Sequence, residues 1–230
     1  MKYCAVFFMV FAVNFLMLSC TGIEPASRFP DMVADADPVS AGTIEAMFDR
    51  RFSSQLRMGE IEVIFYPRLN AVALSFRFDY ITYRQFWDQP ARLQFAAALR
   101  QYNTDFQARN LTSRYSRTRA AYGRVAGRIE WETFSFSKTH IANPVIELGY
   151  RFRNDSPYFT TLMRSAAAIN NDGSSNPIES LQINMYFTRA QAEELVKLFD
   201  QSYLMGLLDD SSEAAPEVFI ADDYYEFDDI

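Results

Sequence analysis

Six arginines and no acidic residue fall between Arg109 and Arg128: Arg109, Arg114, Arg117, Arg119, Arg124 and Arg128, with Tyr115 and Tyr122 among them. A guanidinium is a planar fork that pairs with two oxygens of a carboxylate or phosphate. The segment is therefore the leading candidate for recognition chemistry, through Arg114, Arg117, Arg119, Tyr122 and Arg124. The opposite pole is Asp209–Ile230. It holds nine of the chain's 29 acidic residues and no basic one, mixed with Phe219, Tyr224, Tyr225 and Phe227. In one reading both stretches are solvated, and the tail is disordered. In the other, the tail docks on the arginine segment, or a partner's acidic residues do. Charge then steers the approach and rings make the contact. A net charge of −7 argues against nucleic acid as the partner.

Fewer residues qualify for catalysis. His140 is the single histidine, so a triad or a general-base histidine would have to use it. It follows Ser137-Lys138-Thr139 at a strand end, where ordinary hydrogen bonding accounts for it. Glu130 and Glu132 flank Trp131 and face one side of a strand. Such a pair can do acid–base work, but it also reads as a polar strand face. Asn171-Asp172-Gly173-Ser174 offers oxygens without the spacing or terminal bidentate Glu of a calcium loop. No P-loop, dinucleotide-binding signature, nucleophile elbow or His-Glu-x-x-His occurs. No catalytic residue, metal site or cofactor is expected.

The N-terminus reads as an address. Met1-Lys2 is followed by an apolar run from Tyr3 to Leu18, broken only by Asn14, and then by Ser19-Cys20. A charged start, an apolar stretch and a small residue before the cut make a secretory signal. Leu18-Ser19-Cys20 resembles the lipobox of bacterial lipoproteins, with Met17 where the family prefers Leu. That departure resembles spirochaete usage. The resemblance covers residues 1–20 alone. It implies cleavage before Cys20, a thioether diacylglycerol on that cysteine, usually an added acyl chain, and a cell-envelope location. Thr21 stands where enteric lipoproteins retained in the inner membrane carry Asp, so the resemblance favours an outer-membrane address. Two or more acyl chains anchor stably. The chain has two cysteines, Cys4 and Cys20. A domain cleaved before Cys20 would have no disulfide, thiolate metal site or cysteine nucleophile.

The rest must position whatever the surface does. Residues 20–42, interrupted by Pro25, Pro30 and Pro38, read as a lipidated cysteine and flexible tether. Residues 43–208 read as one domain, and 209–230 as the acidic tail. Helical spacing of Ile44, Met47, Phe48 and Phe52 predicts a short helix over Thr43–Phe52. Alternation predicts strands around Ile61–Phe65 and Val72–Tyr80, joined by the Pro67–Asn70 link. Thr82-Tyr83-Arg84-Gln85 has capping-box spacing and predicts a long helix. Asp88 is the cap of a second helical segment, with a kink near Pro90. Strands are predicted at Ala121–Ala126, Arg128–Phe136, Val145–Arg153, Tyr158–Ser165 and Leu181–Phe187, with a turn at Asn154–Pro157. Thr188-Arg189-Ala190-Gln191 is a second capping box, opening a helix that buries Ala192, Leu195, Val196, Phe199 and Tyr203. The two Thr-x-x-Gln units hint at internal duplication. The expected fold is α+β: mainly antiparallel sheet with two main helices on one face.

These features suit a non-enzymatic envelope module that binds a protein, polymer or lipid. A small-molecule or lipid carrier with an aromatic-lined pocket is the alternative, and a cryptic hydrolase the third reading. A protein binder needs an exposed apolar patch, a carrier an apolar chamber of roughly 300–1,000 Å³, and an enzyme convergent carboxylates in a cleft.

Overall fold

The computed structural model describes residues 32–49, 55–113, 121–132, 138–170 and 178–213. The sheet dominates. Its strands are β1 Val39–Asp49, β2 Leu56–Tyr66, β3 Ala71–Phe78, β4 Ile81–Asp88, β5 Gly123–Ala126, β6 Arg128–Glu132, β7 Thr139–Ala142, β8 Val145–Arg153, β9 Ser156–Met163 and β10 Ile183–Phe187. Three helices accompany them: α1 Gln89–Gln107, α2 Arg189–Phe199 and α3 Gln201–Glu213. Every strand pairing is antiparallel, in the order β5-β8-β9-β10-β1-β2-β3-β4-β6-β7.

That order closes on itself. Only Gly127 separates β5 from β6, and only Asn143-Pro144 separates β7 from β8. Gly123 faces Leu148, Ala126 faces Val145, Ile129 faces Ala142 and Glu132 faces Thr139. The Gly127 N–H donates to the Pro144 carbonyl at 2.9 Å, so the register runs through the bend unbroken. β5–β6 and β7–β8 are thus the two arms of one bent hairpin. The first arm pairs with β4 through β6, and the second with β9 through β8. Taking each arm as one strand, the ten segments form an eight-stranded ring. Closure of this kind leaves few sheet edges exposed.

Alternation fills the ring. Ile61, Val63, Phe65, Val72, Leu74, Phe76, Tyr83, Trp87, Ile129, Trp131, Ile146, Leu148, Phe159, Met185 and Phe187 point inward and are buried. Glu62, Ser75, Arg84, Glu130, Arg151 and Asn184 occupy the outward register. A membrane-spanning barrel needs the reverse, an apolar band outside. No described helix is long and apolar enough to cross a membrane.

One end is closed by helices. Phe95 of α1 is fully buried and meets Trp87, Phe159, Phe187 and Phe199 at centroid distances of 5.2–6.4 Å, all within the favourable range for ring pairs. Arg92, also buried, laces that end together. Its guanidinium donates to the Phe199 carbonyl (2.8 Å), the Asn70 side chain (3.1 Å) and Gln201 (2.9 Å). Burial pulls its pKa down to about 10, against the opposing pull of Asp88 and Asp200. The chain's approach to β1 arrives at the same end, where the Val33 N–H donates to the Pro67 carbonyl at 3.1 Å.

Several expectations hold. Asp88 caps α1 by accepting from the Ala91 N–H at 2.8 Å. Thr188 and Gln191 form the reciprocal capping box of α2. Val145–Arg153 is a strand to the residue, and Asn154 and Asp155 turn at positive φ.

Others are corrected. The helix expected over Thr43–Phe52 is strand β1, whose Ala41, Ile44, Ala46 and Phe48 turn inward against β2. It begins at Val39, inside the expected tether. Thr82 caps nothing: it lies in β4, paired with Glu132, and the duplication reading fails with it. Pro90 sits in the first turn of α1, where proline is tolerated, so no kink follows. The last helix breaks at Asp200 into α2 and α3, and Tyr203 stays 42% exposed, with its hydroxyl on the Ala41 carbonyl. The tail's first residues, to Glu213, belong to α3.

Candidate functional site

Of the sequence-predicted binding residues, Tyr122 and Arg124 are described, and one is buried while the other is exposed. Arg114, Arg117, Arg119 and the lipidation candidate Cys20 lie outside the described residues, as does Asn171–Ser174. Tyr122 is no surface contact: it is 6% exposed, stacked near Phe159 and Tyr102, and donates its hydroxyl to Asp105 at 3.0 Å. Its ring packs as core with Tyr102 of α1 and Phe159 of β9 because β5 starts at the helix-closed end. Arg124 is exposed on the outer face, 3.5 Å from Glu147, whose carboxylate is buried beneath Arg164 at 2.6 Å. Glu130 and Glu132 face outward and pair with Arg128 and Arg84, so the polar strand face is what they form.

His140 is placed differently from expectation. It points inward from β7, 4% exposed, against Trp131 at 5.4 Å. Its Nδ1 has no hydrogen-bond partner. Among the described residues no group of three or more His, Cys, Asp or Glu could hold a metal ion.

A second outward cluster ties β1, β8 and β10. Tyr186 donates to Asp49 Oδ2 at 2.6 Å and accepts from Arg153 at 2.8 Å, while Asn184 donates to the same Asp49 oxygen at 3.0 Å. Burial, then the Asp49 hydrogen bond, pushes the Tyr186 hydroxyl up. The Asp49 carboxylate and the Tyr186 hydroxyl both find partners within the chain, which suits a strand staple, although the Arg153 Nε is left without one.

A groove open to a ligand lies at the end opposite the helices. The β1–β2 ladder runs out to Asp49 opposite Leu56, and β3–β4 runs out to Phe78 opposite Ile81. Between them the β2–β3 ladder stops at Ile61 opposite Phe76. Beyond that point β2 and β3 part. Leu56–Glu60 then have β1 on one side and, among the described residues, no strand partner on the other. The gap is a groove of about 470 Å³, lined by Phe48, Arg57, Met58, Gly59, Glu60, Arg77, Phe78, Asp79 and Tyr80.

Its chemistry is mixed. Phe48 and Phe78 form the floor at 5.9 Å from each other, and both are nearly fully buried. Met58 is 52% and Tyr80 73% exposed at the lip. Arg77 lies over the Tyr80 ring at 6.0 Å. Gly59 is required by the floor: a Cβ there would stand 2.8 Å from the Phe48 ring. Asp79 and Tyr80 both take positive φ, 46° and 67°, which turns β3 sharply into β4 and leaves β2 longer than its neighbour. The sequence did carry a signal here, a glycine inside an alternating strand. The extent of the split depends on ladder lengths that no single strand reveals.

Fold and site together define a helix-plugged antiparallel barrel with a packed lumen and a split rim. The chain belongs to the family described as "Uncharacterised Treponema protein", which it matches over residues 38–206. That span runs from β1 to α3, so the family unit is the barrel with its helices. An uncharacterized protein of Treponema pallidum (strain Nichols) is 23% identical over 181 residues, covering 78% of this chain and 63% of that protein. The chain thus spans somewhat less than two thirds of that relative's length. No solved structure matches it.

Proposed function

We propose that this protein is a membrane-anchored envelope module, held by lipid on Cys20, that acts by binding a partner on the outside of a solid barrel. The carrying observation is the filled lumen. Trp87, Phe95, Phe159, Phe187 and Phe199 meet ring to ring across it, where a carrier would need an enclosed chamber. Recognition then falls to the charged outer face and the rim groove. The Treponema family agrees with the spirochaete usage that the lipobox resembles.

The anchor also suggests an orientation. The chain enters the barrel beside Pro67, at the helix-closed end. Eleven residues, Thr21–Asp31, would link Cys20 to Met32 and reach about 35–40 Å when extended. The helix-closed end would face the bilayer and the split rim would face away from it. The proposal is tested by in-cell crosslinking followed by mass spectrometry on cells bearing the lipidated chain. A reproducible partner attached through rim or outer-face residues supports it. A lipid or small molecule recovered stoichiometrically inside the barrel would favour the carrier instead.

A further inference from the structure

The parted strands carry an inference beyond a generic binding surface. A strand edge without a neighbour presents backbone N–H and C=O groups in a fixed repeat, and an extended peptide completes it by strand addition. Among the described residues Leu56–Glu60 is such an edge, one side of it paired to β1 and the other facing the groove. The groove is also shaped for a strand with one apolar face. Its floor is the Phe48 and Phe78 rings, and Arg57 and Arg77 stand beside it.

We propose that this edge is the docking site of the chain's own C-terminal segment, Asp222–Asp228. Its sequence, Asp-Asp-Tyr-Tyr-Glu-Phe-Asp, alternates as a strand would need. Tyr225 and Phe227 fall on one face, for the ring floor. Tyr224, Glu226 and Asp228 fall on the other, the face of Arg77, while Arg57, paired opposite Phe48, lies on the floor side with Asp223, and a carboxylate suits either guanidinium fork. Length permits it. Eleven residues, 214–224, separate Glu213, where α3 ends, from Tyr225, and extended they span about 40 Å. An 11-residue strand such as β1 is only about 36 Å long, so the segment reaches the far rim from the helix-closed end. Glu60 and Asp79 also line the groove, so an acidic peptide is held by backbone pairing and ring contact, with the arginines setting its register.

The proposal places the tail on the β2 rim rather than on the Arg109–Arg128 segment, and it stands whether or not Cys20 is lipidated. The test exploits the scarcity of cysteine. In the full chain carrying Cys4→Ser and Cys20→Ser, Met58→Cys is paired with Glu226→Cys under mild oxidation. Glu62→Cys with Glu226→Cys is the control, since Glu62 is exposed on the same strand inside the paired region. The expected result is an intramolecular disulfide formed roughly tenfold faster at Met58 than at Glu62, as a docked segment raises effective concentration. A second readout needs no new cysteine. Backbone amides of Leu56–Glu60 should exchange with solvent roughly tenfold faster once residues 214–230 are deleted. Equal crosslinking at both positions, crosslinks only between two chains, or unchanged exchange after deletion would each overturn the proposal.

Discussion

Replacing Phe95 by alanine should cost this barrel a large part of its stability. The ring is fully buried and touches four others, Trp87 on β4, Phe159 on β9, Phe187 on β10 and Phe199 on α2. Truncating a buried phenylalanine costs about 3–5 kcal/mol, because the transfer energy is lost and a cavity remains. All four contacts are edge-to-face within 15° of perpendicular, at 75°, 81°, 86° and 90°. Each such pair adds about 0.5–1.5 kcal/mol beyond burial, without simple additivity, so the upper end of the range applies. Domains of this kind have a total stability of about 5–15 kcal/mol. The loss should lower the midpoint of thermal unfolding by roughly 10 °C or more. Leu93→Ala is the control: Leu93 lies on the same helix, is 64% exposed, and its loss should stay within about 0.5 kcal/mol. Urea denaturation followed by tryptophan fluorescence measures both. If Phe95→Ala loses less than about 1 kcal/mol, or no more than Leu93→Ala, then α1 does not plug the barrel and the filled-lumen argument fails.

Alkaline pH should unfold the protein from about pH 10 upward. Burial pushes the Tyr102 hydroxyl up to about 12, and burial with Asp105 or Asp49 beside them raises Tyr122 and Tyr186. A group whose pKa is raised on folding contributes stability that is complete below its unfolded value, near 10, and is lost as pH climbs through the folded one. Arg92, lowered to about 10, works the other way over the same window, but it is one group against three. Tyrosinate absorbance followed together with far-ultraviolet circular dichroism checks this. Ionisation of all tyrosines near pH 10 without unfolding would contradict it. Arg92→Met should destabilise by about 1–3 kcal/mol, since the Phe199 carbonyl and Asn70 lose a buried donor; chemical denaturation reads it. Thr188→Ala should cost about 1 kcal/mol by removing the cap of α2, and amide exchange in the first turn of that helix should rise with it.

Much of the sheet was legible because its signal is local. Val145–Arg153 alternates without interruption, and Asp88 and Thr188 carry caps whose partners lie three residues on. β1 was not, because Ile44, Met47 and Phe48 suit a helical face as well as they suit alternation. The choice was made by ten residues of pairing with β2, more than forty atoms of backbone away in places. β4 failed for a related reason. Thr82 and Gln85 have the spacing of a capping box, yet Asp79 and Tyr80 turn the chain straight back along β3, and Gln85 ends up inside the barrel beside Trp87. Closure of the ring was out of reach, since it rests on one register continuing through Gly127 and Pro144. The same holds for the groove, which exists because one ladder is shorter than its two neighbours. Tyr122 was misjudged by its company: the arginines around it marked it as surface, while its ring belongs to the core.

The central claim is an anchored barrel that works from its outer surface, and Cys20 is where it is most directly tested. Cells expressing the full chain or its Cys20→Ser variant are extracted with a detergent that separates into two phases on warming. The account predicts that the parent chain enters the detergent phase and that Cys20→Ser moves to the aqueous phase, still folded. A Cys20→Ser chain that stays with the detergent would contradict it.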